Sequence, residues 1–169
     1  MPLPVYSGAK AVNKELRAKM KKIRLRKVRY SPGYSDMNGG RHSMSLVKDA
    51  GGCWTFICSD REAYDVPTVT AAYAVSDEAV AQFEKFITRN RIFSLEKRPK
   101  SSEFATDYSQ WSFSFDYEKT AFEKIERDSC DFDEYKRYSR ADYALINELC
   151  DRFTALRGEK ISEFIEENK

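Results

Sequence analysis

Residues 111–117 read Trp-Ser-Phe-Ser-Phe-Asp-Tyr, with large aromatic and small polar side chains in strict alternation. Successive strand residues point to opposite faces. The pattern therefore predicts a β-strand with Trp111, Phe113, Phe115 and Tyr117 on one face and Ser112, Ser114 and Asp116 on the other. The aromatic face needs an apolar layer over it, and the other face needs water or polar neighbours. Residues 25–30, 42–47 and 53–58 also read as strands, rich in β-branched and aromatic side chains. Turn signals separate them: Ser31-Pro32-Gly33, Asn38-Gly39-Gly40 and Asp49-Ala50-Gly51-Gly52. Links this short cannot make a parallel crossover, so the strands are antiparallel. Residues 103–108 add a strand and residues 92–95 a brief one. Residues 122–127 form a hairpin arm after a turn at 118–120. Pro67 restricts any strand beside it to an edge or to a short piece after it. The acidic, aromatic stretch 128–138 reads as a loop.

Elsewhere the apolar period lengthens to that of a helix. Val12, Leu16, Met20 and Ile23 form one stripe over residues 9–23, where Ala, Lys, Leu, Arg and Met dominate. Ser76 has the chemistry of an N-cap, with Asp77 and Glu78 favourable at the positive end of the helix dipole. Ala79, Val80, Phe83, Phe86 and Ile87 follow as a stripe, ending near Asn90. Ser139 begins a second such helix, with Asp142 in a capping-box-like position and Ile146, Leu149, Phe153 and Leu156 as its buried stripe. That helix runs to Arg157, and Gly158 suits the residue after its end. Ile161, Phe164 and Ile165 anchor a short terminal helix over 161–167. The expected fold class is α+β: an antiparallel sheet of about five to seven strands, helices packed mainly on one face, and a basic N-terminal helix.

Composition narrows this picture. A chain of 169 residues, 41% hydrophobic and 14% aromatic, supports one domain with a substantial core. No repeat or low-complexity tract divides it. The expected organisation is a flexible N-terminus over 1–8, a basic helix or arm over 9–29, and a single domain over 30–169. No apolar run approaches the ~18–20 residues of a membrane span, and no signal-peptide core appears, so a soluble cytoplasmic protein is expected. Cys53, Cys58, Cys130 and Cys150 match no disulfide framework or zinc spacing and read as free thiols packed as small hydrophobes.

Charge changes the picture most. The net charge of +2 conceals a split: residues 10–29 hold ten basic residues and one acid, a net of +9, and the remainder carries 19 basic and 26 acidic residues, a net of −7. The candidate binding residues are Lys10, Lys14, Arg17, Lys19, Lys21, Lys22, Arg24, Arg26, Lys27 and Arg29. Such a segment neutralises phosphates of DNA or RNA, contacts an acidic protein surface, or stands solvated against the acidic body of its own chain. Tyr30 and Tyr34 add rings able to stack on bases.

Catalytic patterns are sparse. His42 is the one histidine, which excludes two-histidine zinc sites. As the activator of a nucleophile it competes with the plainer meaning of Gly39-Gly40 as a hairpin turn. Glu134-Tyr135-Lys136, with Asp116, Asp128, Asp131 and Asp133, has the carboxylate spacing of a metal-dependent nuclease, a pattern that chance also produces in a chain 33% charged. The sequence contains no glycine-rich phosphate motif and no nucleophile elbow. No cofactor is implied. The leading reading is a small non-enzymatic binding protein of the inhibitor or accessory-factor type, acting on a protein partner. A nucleic-acid-binding protein is the alternative, and a carboxylate–metal enzyme the third.

Overall fold

A computed structural model describes residues 22–33, 39–98, 111–121, 123–133 and 138–166. Its strands are β1 (Lys22–Ser31), β2 (Arg41–Lys48), β3 (Trp54–Arg61), β4 (Thr68–Val75), β5 (Ser112–Ala121), β6 (Lys124–Asp133) and β7 (Lys160–Glu166). They form one seven-stranded sheet in the order β6-β5-β1-β2-β3-β4-β7, with every pairing antiparallel. Two helices accompany it among the described residues, α1 (Asp77–Arg89) and α2 (Arg140–Thr154).

The α+β expectation is corrected by this result. The described chain is mostly antiparallel sheet with two helices. The expected helix over 9–23 lies almost wholly outside the described residues, and its last two positions, Lys22 and Ile23, belong to β1. The terminal segment is strand β7, not a helix. Ile161, Phe164 and Ile165 have helical spacing, but seven residues form a marginal helix alone. The free edge of β4 offers them a ladder of hydrogen bonds instead. Residues 118–120 continue β5 rather than turning, and residues 128–133 belong to β6 rather than a loop. The reversal comes at Glu123, which adopts a left-handed φ of 66°. Residues 92–95 form a 3-10 turn, not a strand, and Arg91 ahead of it has φ 50°. Pro67 precedes a strand that is paired on both sides, so β4 is not an edge.

The long periodic elements behave as their residues require. Phe113, Phe115 and Tyr117 of β5 are buried, and Phe113 and Phe115 are sealed almost completely. The Ser76 hydroxyl accepts from Ala79 N at 3.1 Å, and Ser139 accepts from Asp142 N at 3.2 Å. The Asp142 side chain does not close a capping box; it pairs with Arg98. Ile146, Leu149, Phe153 and Leu156 are all buried. Phe153 is the centre of the core: its ring lies 4.9 Å from Phe56, 5.9 Å from Phe83 and Phe113, and 6.1 Å from Tyr30. Phe93, in the 3-10 turn, stacks on Tyr117 at 4.3 Å and meets Phe115 edge-on. Both helices and this turn therefore cover the same face of the sheet.

Candidate binding face

The other face is lined by the alternate residues of every strand, and none of these is buried among the described residues. Register fixes which residues share it. On β5, Ser112, Ser114 and Asp116 face outward because Phe113, Phe115 and Tyr117 face the helices. Arg29 lies opposite Ser114 on one side and Ser45 on the other, and Lys27 lies between Asp116 and Val47. Ser45 faces Ile57, and Ile57 faces Ala72. Ser59 and Thr70 touch through their hydroxyls at 3.3 Å. Much of the face thus carries short side chains, among which the long ones of Arg24, Lys27 and Arg29 stand up from β1.

β1 crosses the middle of the sheet between β5 and β2, which places its basic residues on this open face. The pairing shifts register between Leu25 and Lys27, making Arg26 a bulge residue. A bulge re-aims side chains and sharpens local twist. Here Arg26 reaches across to Glu118 at 3.0 Å, while the Leu25 N–H donates to Glu84 of α1 at 3.1 Å. Arg26, Asp116, Tyr117, Arg127, Asp128 and Ser129 line a depression of 480 Å³ at β1, β5 and β6, which draws on residues of both faces. The face is electrically divided. Asp116, Glu118, Asp131 and Asp133 lie on the β5–β6 side, and Arg24, Lys27 and Arg29 lie on β1. Arg41 and Arg61 are cross-strand neighbours at one end, a like-charge pair that costs stability unless something else answers it. Arg61 donates to the Gly39 carbonyl at 3.1 Å and lies over the Tyr64 ring.

Of the residues picked out by sequence, Arg24, Arg26, Lys27 and Arg29 are thus gathered on one strand, and Lys22 begins it. Lys10, Lys14, Arg17, Lys19 and Lys21 lie outside the described residues. So do Tyr34, Glu134 and Lys136. Tyr30 is not a stacking platform for bases: it turns into the core and stacks on Phe113 at 4.4 Å. Burial, then the Cys150 thiol beside it, pushes its phenol far above the ordinary value. Small-residue positions such as Ser45, Ser59 and Ala72 escaped the sequence reading, because a face without chemistry-bearing side chains has no motif.

Among the described residues, Asp116, Asp131 and Asp133 share the open face, and Asp128 and His42 lie apart from them. His42 Nδ1 lies 2.9 Å from Asp60 Oδ1 across β2 and β3, and both side chains are about half exposed. Asp128 faces the helix side with Tyr117 and Lys119, whereas Asp131 and Asp133 face the open side. The Lys119 ammonium, 2.7 Å away, is the first cause holding the Asp128 carboxyl below the usual carboxylate range. Among the described residues no three His, Cys, Asp or Glu side chains converge as a metal site would require. The four cysteines are free. Burial raises the Cys58, Cys130 and Cys150 thiols above their ordinary value, which keeps them in the unreactive protonated form. Among the described residues no helix is long and apolar enough to cross a membrane.

No protein-family model, no curated protein and no solved structure matches the chain.

Proposed function

We infer that this is a non-enzymatic binding protein that docks a protein partner on the open face of its sheet, as an inhibitor or accessory factor would. The observation that carries this reading is the broad face of short side chains, crossed by a basic strand and bordered by acidic ones, that no described element covers. Short residues let a partner's backbone approach closely. The divided charge orients the encounter, because a partner must present acid over β1 and base over β5 and β6.

A nucleic-acid reading rests on the same arginines. Against it stand Asp116 and Glu118, which lie beside β1 and repel phosphate. The experiment that separates the two uses purified protein with Ser45→Arg, which places bulk in the middle of that face without touching the core. Expected is a protein partner captured from the native host by the wild type, resistant to nuclease, and lost with Ser45→Arg. A partner retained by the variant, or binding that disappears on nuclease treatment, sinks the docking reading.

A further inference from the structure

The open face ends, where β2 begins and β3 stops, in two arginines side by side. Arg41 and Arg61 are directly opposed residues of antiparallel strands, a placement that holds the Cα atoms about 4.5–5.5 Å apart. Among the described residues no carboxylate lies within ion-pair distance of either. Asp60, the acid next to Arg61 on β3, points to the helix side and meets His42 there. Ser43 and Ser59 are the next opposed pair along the open face, and they set two hydroxyls beside the arginines. Two adjacent cations without an acid between them are destabilising by themselves.

Arg61 is also anchored in place. Its Nε donates to the Gly39 carbonyl at 3.1 Å, and its guanidinium carbon lies 5.4 Å from the centre of the Tyr64 ring. That ring rests against Gly39, which has a left-handed φ of 83° and no room for a Cβ. Part of the entropy of ordering the side chain is thus lost on folding rather than on binding. Because Nε makes the internal bond, the two terminal nitrogens keep their donors. We propose that Arg41 and Arg61, with Ser43 and Ser59, bind a phosphate group. Two cations are answered by a dianion, which a carboxylate is not. Guanidinium forks fit phosphate oxygens, and a carboxylate has too few oxygens to engage two forks and two hydroxyls. The site lies on the open face but does not rest on the docking reading, since its donors are complete without a protein partner.

The test is an amide chemical-shift titration of the full chain by nuclear magnetic resonance. The probes are inorganic phosphate and a phosphoserine peptide with uncharged flanks, with chloride at matched ionic strength as the control. Expected is a saturable shift confined to the amides of residues 39–43 and 59–64, which chloride does not produce. Arg41→Gln is expected to weaken binding on the order of tenfold or more. Arg41→Lys keeps the charge but loses the fork, and is expected to recover only part of the loss. Arg41 is exposed, so Arg41→Gln is expected to fold, with a Tm in chloride no lower than that of the wild type. A peptide that binds more tightly than the ion shows that the phosphate arrives on a partner chain. Equal or weaker binding of the peptide shows that the ligand is the free ion. The proposal is overturned by the lack of a saturable shift with both probes, by an equal response to chloride, or by shifts spread along Arg24, Lys27 and Arg29. Unchanged affinity in Arg41→Gln, or full recovery by Arg41→Lys, overturns it too. If Arg41→Gln fails to fold, the location of the wild-type shifts decides.

Discussion

Phe153 touches side chains from β1, β3, β5 and α1 at once and is fully buried. Phe153→Ala leaves a cavity that four elements would have to collapse together to fill. It is expected to cost ~3–5 kcal/mol, read as a lower urea midpoint with an unchanged slope. A loss below ~1 kcal/mol would mean that α2 is held elsewhere. The buried phenols make a second prediction at this scale. Burial is the main cause that pushes Tyr117 up to about 12 and Tyr30 and Tyr138 further still. The fold thus favours the neutral phenol. That stabilisation is complete below the ordinary tyrosine value of ~10 and is lost as pH rises from there towards the folded values. Ultraviolet titration is expected to show these phenolates appearing late, together with unfolding. Early ionisation of all ten tyrosines in folded protein would contradict it.

Among the elements, what could be read from the chain depended on whether the packing partner was implied by the pattern. The helices beginning after Ser76 and Ser139 were legible because cap and stripe are local. The strand at 111–117 was legible because its alternation has no other structural meaning. β7 was not legible, because its existence depends on the exposed edge of β4, a feature about ninety residues distant in sequence. The acidic run 128–133 became strand β6 for the same reason: pairing with β5 overrides a composition that suits a loop. Gly158 stands three residues beyond the C-cap Ala155, so it does not serve as the helix terminator that the sequence suggests. Its role is close approach, since its N–H donates to Ala74 O at 2.9 Å and a Cβ would overlap that carbonyl. Gly158→Ala is expected to lower stability by ~1–3 kcal/mol by prising β7 from β4, measured as a fall in Tm. An unchanged Tm would show that the junction can shift at no cost.

Over the whole molecule, the middle of the sheet is paired on both sides and packed into the core, and the β7 edge is exposed. β1 is paired on both sides and contributes Leu25 and Val28 to the core, whereas β7 contributes no buried residue. Native-state hydrogen exchange is expected to be slowest in β1, β3 and β5 and to open first in β7. Equal protection of β7 and β1 in dilute protein would contradict this gradient. By itself the sequence determined the local matters: the alternation of β5, the caps and apolar stripes of α1 and α2, the tight turn at Asp49–Gly52, and the concentration of base ahead of an acidic body. Only the tertiary structure decided that half of the basic segment is a central strand, that its arginines share an open face with the serines of β5, and that the last segment is an edge strand rather than a helix. Caps and periods are contests among neighbouring residues, whereas a face or an edge is created by strands far apart in sequence, and no local pattern records which strand will lie alongside.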